Sequence, residues 1–97
     1  GIRRPTGRGM TVQFRPSFLR DLKAIRDADL LARIESAVMS VRQATTLRDV
    51  PNMIKLQGGG NYYRVRVGDY RIGLMMQDQT IFFVRCLNRR EIYKNFP

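Results

Sequence analysis

The chain of 97 residues contains no histidine and one cysteine, and its acids are few: 8 Asp and Glu against 18 Lys and Arg. Each shortage excludes something. Without histidine, neither a two-histidine ribonuclease mechanism nor a Cys–His nucleophilic pair is available. A lone cysteine cannot build the disulfide framework of a small secreted domain, so a reducing cytoplasm is the expected setting. Cys86 lies in an apolar stretch and is expected to be a buried structural thiol. No apolar run approaches the ~20 residues that a membrane helix needs, and no signal-peptide core is visible. No membrane partner is expected.

What is abundant is positive charge. The formal balance is +10, while 43% of the residues are hydrophobic. That much apolar content predicts a packed globule rather than a disordered chain, and this length predicts one domain. Gly1 to Gly9 reads as an expression-tag remnant or a disordered leader, and Met10 as the natural start, so a single domain is expected over 10–97. Without Arg3, Arg4 and Arg8 the balance is still 15 against 8. A polyanionic partner follows: RNA, DNA or an acidic protein.

The apolar spacing divides the chain into an α+β pattern. Thr11 to Phe14 reads as a short strand. Ser17, after Pro16, is a candidate helix cap, and Phe18, Leu22 and Ile25 form one helical stripe. Asp27 to Asp29 reads as a connector with Asp29 as cap. Leu30, Ile34, Val38 and Val41 then mark a second helix to about Ala44, giving an α-hairpin. Thr46 to Asn52 is a loop, and Met53 to Leu56 begins the second half. The glycines at 58–60 are a turn: no Gly-Lys-Ser/Thr ending and no helix follow, so this is not a phosphate loop. Tyr62 to Val67, Tyr70 to Met76 and Thr80 to Leu87 alternate as strands of an antiparallel meander, covered on one face by the two helices. Arg89 to Phe96 is a short helical tail.

Register arithmetic gathers arginines. If Gly68-Asp69 is a two-residue hairpin turn, Arg66 faces Arg71, Val65 faces Ile72 and Arg64 faces Gly73. Tyr63, Val65, Ile72 and Leu74 then share the apolar face, and Arg64, Arg66 and Arg71 share the other. A three-residue loop, Gln77 to Gln79, is expected next. It sets Leu74 opposite Phe82, Ile72 opposite Val84 and Arg71 opposite Arg85, adding a fourth arginine. Like charges placed opposite one another destabilise a strand pair by ~0.2–1 kcal/mol. A bound polyanion offsets that, and the planar arginine fork suits phosphate. In the tail, Arg89 and Tyr93 are four apart and share a helical face. Phe96 is expected to dock on the core.

Tyr63-Arg64-Val65-Arg66-Val67-Gly68-Asp69-Tyr70-Arg71-Ile72-Gly73 resembles the central hairpin of RelE/ParE toxins. Asn88-Arg89-Arg90-Glu91-Ile92-Tyr93 resembles their C-terminal signature, commonly His-Arg-Arg-Glu-Ile-Tyr. Phe14 to Phe18 and Leu56-Gln57-Gly58 are also similar to the family, so the likeness spans Met10 to Pro97. The resemblance implies a toxin of a type II toxin–antitoxin pair that cleaves mRNA in the ribosomal A site. It implies a cognate RelB-like antitoxin, acidic or amphipathic, as partner. It implies catalytic roles for Arg64, Arg66, Arg71, Arg89 and Tyr93; Lys55, Arg85, Arg90 and Lys94 are the further candidate RNA contacts. No metal and no cofactor are expected, because Asp69, Asp78 and Glu91 sit in turns or tail. The expected chemistry is attack by the RNA 2′-hydroxyl on the adjacent phosphate, with arginines stabilising the developing charge and Tyr93 as acid or base. Asn88 stands where many relatives have His and cannot transfer protons. Two other readings stay open on these residues: a non-enzymatic ParE-like gyrase inhibitor, and an RNA- or protein-binding homologue without catalysis.

Overall fold

A computed structural model describes residues 11–58 and 60–97. The leader Gly1 to Gly9 and the expected start at Met10 lie outside the described residues. The elements are β1 (Thr11–Phe14), α1 (Pro16–Lys23), α2 (Ala28–Gln43), β2 (Met53–Lys55), β3 (Tyr62–Val67), β4 (Tyr70–Gln77), β5 (Thr80–Asn88) and α3 (Arg89–Asn95). The fold is α+β, as the spacing predicts. The sheet runs β1-β5-β4-β3-β2. It is mixed rather than a pure meander, because β1 lies parallel to β5.

Both helices start differently from expectation. α1 opens at Pro16, with Arg15 at the cap position. Proline suits the first helical turn because its missing N–H would have no partner there. Ser17 does not cap; its hydroxyl donates to the Val84 carbonyl. α2 is capped by Asp27, not Asp29: the Asp27 carboxylate accepts from the N–H groups of Asp29 and Leu30. That satisfies two donors that the first helical turn leaves free.

The expected stripes do face the core. Phe18, Ile25, Ile34 and Val41 are buried against Val65, Ile72, Leu74, Ile81 and Phe83, and Leu22, Leu30 and Val38 pack at the margin. Phe14 stacks on Phe83 with ring centroids 5.1 Å apart, and Phe18 meets the same ring at a tilt, 5.3 Å away. Cys86 is buried, as expected.

The β3–β4 register matches the arithmetic at every pair, from Val67 opposite Tyr70 to Arg64 opposite Gly73. Gly68 sits at φ +57° as the first turn residue, a conformation that glycine adopts without penalty. The β4–β5 hairpin does not match. Its loop has two residues, Asp78 and Gln79, both at positive φ, and Gln77 faces Thr80. Parity is restored by an irregularity at Gly73/Leu74: Leu74 faces Phe83, but Gly73 faces Arg85, leaving Val84 as an extra residue. Ile72 therefore faces Cys86 rather than Val84, and Arg71 faces Leu87 rather than Arg85.

α3 packs away from the main core. Ile92 and Phe96 are buried, yet neither belongs to the cluster under α1 and α2. Phe96 lies on Gly73, where a side-chain Cβ would come within 2.8 Å of its ring, and it meets Tyr62 edge-on at 5.6 Å. Phe96 docks as expected, but on the arginine side of the sheet. The Arg89 N–H donates to the Asp69 carbonyl at 2.7 Å, tying the start of α3 to the β3–β4 turn.

Candidate nucleic-acid interface

The pleat of β3 and β4 sends Arg64, Arg66 and Arg71 to the side away from α1 and α2. Together with Tyr93 of α3 and with Asn52, Met53 and Ile54, they line one groove of about 370 Å³. None of these lining residues is acidic.

Each cation is held differently. The Arg64 guanidinium lies beneath the Tyr93 ring, 4.8 Å from its centroid, an arrangement in which the ring's negative face attracts the charge. Arg64 Nε is buried and has no hydrogen-bond partner. Arg71 donates through Nη1 to the carbonyls of Gly68 and Tyr70, both at 2.9 Å. These bonds brace the side chain against its own turn and leave Nε and Nη2 uncommitted. Arg66 is exposed and directly opposite Arg71. Tyr93 is 62% exposed, so the phenol is open to solvent above the groove.

Other expected site residues lie elsewhere. Arg85 pairs with Gly73, yet it is not among the residues lining the groove. It donates to Asp21 of α1 through Nε at 2.8 Å and Nη2 at 3.1 Å. The hydrogen bond to Asp21 raises the Arg85 pKa, against the opposing effect of burial and with further help from the carboxylate's charge. Asp21 also accepts from the Cys86 N–H at 2.8 Å. The carboxylate thus covers a stretch of β5 beyond the end of β1, and Arg85 closes that cover. Lys55 faces the opposite side, in a separate groove with Thr46, Arg48 and Tyr63. Its register explains this: Ile54 faces Arg64, so its neighbour Lys55, opposite Tyr63, points to the helix side. Arg89, Arg90 and Lys94 are exposed on α3, outside the residues lining the groove. Asn88 caps α3, its side chain accepting from the Arg90 N–H at 3.0 Å.

Asn52, Met53 and Ile54 were not singled out from the sequence. Pairing β2 with β3 would have found Ile54, which faces Arg64 and is 55% exposed. Asn52 follows Pro51 at φ +62°, a turn position that asparagine tolerates.

The α+β fold, with its mixed five-stranded sheet, is that of the RelE/ParE toxins. The family described as the ParE toxin of type II toxin–antitoxin system, parDE, matches residues 12–93. Toxin RelE3 of Methanocaldococcus jannaschii is 38% identical over 89 residues, spanning 91% of this chain and 100% of that protein. The toxin of the RelB–RelE antitoxin–toxin complex from Methanococcus jannaschii superposes with a TM-score of 0.73 at 36% identity, covering 87% of this chain and 98% of that one. The archaeal RelE–RelB complex from Pyrococcus horikoshii shares the fold at a TM-score of 0.68 and 22% identity, over 84% of this chain and 96% of that one. The chain belongs to the ParE toxin family of type II toxin–antitoxin systems, within the RelE/ParE superfamily.

Proposed function

We propose that this protein is the toxin of a RelBE-type pair and a metal-independent endoribonuclease that cuts mRNA on the ribosome, in the cytoplasm. The observation that carries the proposal is the convergence of Arg64, Arg66, Arg71 and Tyr93 on one groove with no acid in its lining. In the reaction, the RNA 2′-oxygen forms a bond to the adjacent phosphorus and the bond to the 5′-oxygen breaks. The 2′-hydroxyl proton leaves and the 5′-oxygen gains one. Arg66 and the free edge of Arg71 receive the phosphate oxygens, where charge grows in the transition state. Tyr93 supplies one proton transfer, its ring held in place by the guanidinium of Arg64. The ribosome supplies orientation that an open groove on a small protein lacks.

The partner is a RelB-like antitoxin, acidic or amphipathic. Both archaeal relatives were solved as toxin–antitoxin complexes, and a net charge of +10 favours an acidic binder.

The test pairs two assays. Purified protein is added to ribosomes translating a defined mRNA, and separately to DNA gyrase relaxing and supercoiling a plasmid. Cleavage within codons, reduced about 10²–10³-fold by Arg66→Ala or Arg71→Ala with unchanged melting, is the expected result. Intact mRNA with loss of supercoiling overturns the nuclease reading in favour of a gyrase inhibitor, the reading that the ParE family match favours.

A further inference from the structure

A second groove, of about 460 Å³, runs between α2 and the end of β3. Arg33, Ser36 and Ser40 of α2 line one wall, and Asn52 and Arg66 line the other. None of its lining residues is acidic. Asn52 and Arg66 also line the arginine groove on the opposite face of the sheet. The two grooves therefore meet around an edge.

The edge exists because β2 is short. It pairs with β3 only from Tyr63 to Val65. The Asn52 carbonyl then accepts from the Arg66 N–H at 3.0 Å, and the chain turns away at the left-handed Asn52. Beyond that point β3 has no strand neighbour on this side among the described residues, and Arg66 stands at the open rim.

Arg33 is brought to the same place by Gly68. A Cβ at Gly68 would lie 3.1 Å from Arg33 Nη1, so the guanidinium rests on the bare glycine. From the other side, Arg71 Nη1 bonds the Gly68 carbonyl at 2.9 Å. Two guanidiniums thus contact one turn residue from opposite faces of the hairpin, with Arg66 beside them. Among the described residues no carboxylate pairs with any of the three; the salt bridge found is Arg85–Asp21. Such a cluster is unfavourable without an anion, and a chain of regularly spaced anions fits a path that passes from one groove to the other.

We infer that the RNA strand turns around this open edge and that a backbone phosphate flanking the scissile one lies against Arg33; this rests on the nuclease reading above. Arg33 is then a further RNA-binding residue, on α2 and outside the catalytic groove. The small side chains of Ser36 and Ser40 leave room for the sugar–phosphate backbone.

The experiment measures single-turnover cleavage on ribosomes programmed with mRNAs that carry one uncharged methylphosphonate at successive linkages around the scissile phosphate. On native mRNA, Arg33→Gln is expected to cleave about tenfold more slowly, the loss of one charge-assisted contact. Wild-type protein loses a similar factor when one particular flanking linkage is neutralised. On that mRNA the two losses do not multiply, because both remove the same contact. Losses that multiply at every linkage overturn the inference, since Arg33 then touches something other than the mRNA backbone. So does wild-type cleavage by Arg33→Gln, including the case in which that variant only weakens the hold of an acidic protein partner. Wild-type protein that leaves native mRNA intact defeats the nuclease reading itself, and the role of Arg33 falls with it.

Discussion

Replacing Gly73 by alanine tests whether the terminal helix is held in place by the absence of one side chain. Gly73 does not sit in the left-handed region, so alanine meets no backbone penalty there. The obstacle is Phe96, whose ring carbons lie 2.8, 2.8 and 2.9 Å from where the Cβ would be. Contacts that short require the ring to move. The ring is buried and wedged against Tyr62, and it follows directly on α3. Overpacking of this kind costs about 1–3 kcal/mol. In a domain of this size each kcal/mol moves the melting temperature by about 4–8 °C. Chemical denaturation of Gly73→Ala should therefore show a lower midpoint with an unchanged slope. Phe96→Ala alone should cost about 3–5 kcal/mol, the range for large core aromatics. The double variant should be no worse than Phe96→Ala, because the clash has gone. Cleavage should fall about 10²-fold in Gly73→Ala, as displacement of α3 moves Tyr93 off Arg64. A neutral Gly73→Ala, or penalties that add in the double variant, would show that Phe96 does not set the position of α3.

Four further outcomes follow from the same geometry. Asp21→Ala removes the acceptor for the Arg85 fork and the Cys86 N–H. It should lower stability by about 1–3 kcal/mol in urea while leaving cleavage intact, since Arg85 lies outside the groove. Asn88→Ala removes the α3 cap and should cost about 0.5–2 kcal/mol, whereas Asn88→Asp should keep the cap; thermal denaturation separates them. Burial, helped by the charge of Asp21, pushes the Cys86 thiol up from its ordinary 9.0 to about 12. The unfolded chain then loses this proton first, so stability falls as pH climbs from 9 towards 12, and Cys86→Ala should lack that part of the decline in a pH series of denaturation midpoints. Iodoacetamide should leave Cys86 unmodified in native protein and alkylate it in urea, as mass spectrometry would record.

Much of the fold is local enough to be legible in the sequence. The β3–β4 register follows from a two-residue turn with glycine first and from strict alternation, so Arg64, Arg66 and Arg71 could be placed on one face without coordinates. The β4–β5 register could not. Gln79 is an unusual residue at positive φ, so Asp78-Gln79 gives a weak turn signal. The extra residue at Val84 leaves no mark in the pattern either, because Phe82, Phe83 and Val84 are all apolar. The expected register set Arg85 opposite Arg71, whereas it faces Gly73 and its side chain reaches Asp21, 64 positions away in the chain. Long-range pairs of that kind are set by packing rather than by spacing. For the same reason the sequence did not reveal that β1 runs parallel to β5. The side that Lys55 faces was not legible either, because β2 had no assigned partner: once Ile54 is set opposite Arg64, Lys55 must face the other way.

The cations of the groove are kept apart from the acids of the protein by the same sheet that holds them. Asp21 neutralises Arg85 at the α1 edge, Asp27 is spent on the cap of α2, and no acid lines the groove. Arg66 and Arg71 are fixed opposite each other by backbone pairing, so they cannot separate without breaking the hairpin. Arg64 keeps a buried Nε with no partner. These are costs to the folded state alone, and the core beneath Val65, Ile72 and Leu74 bears them. An anion that binds only the folded protein removes part of that cost, so binding and stability are coupled. The charges that make the groove unfavourable on its own are the ones that the proposed function assigns to phosphate.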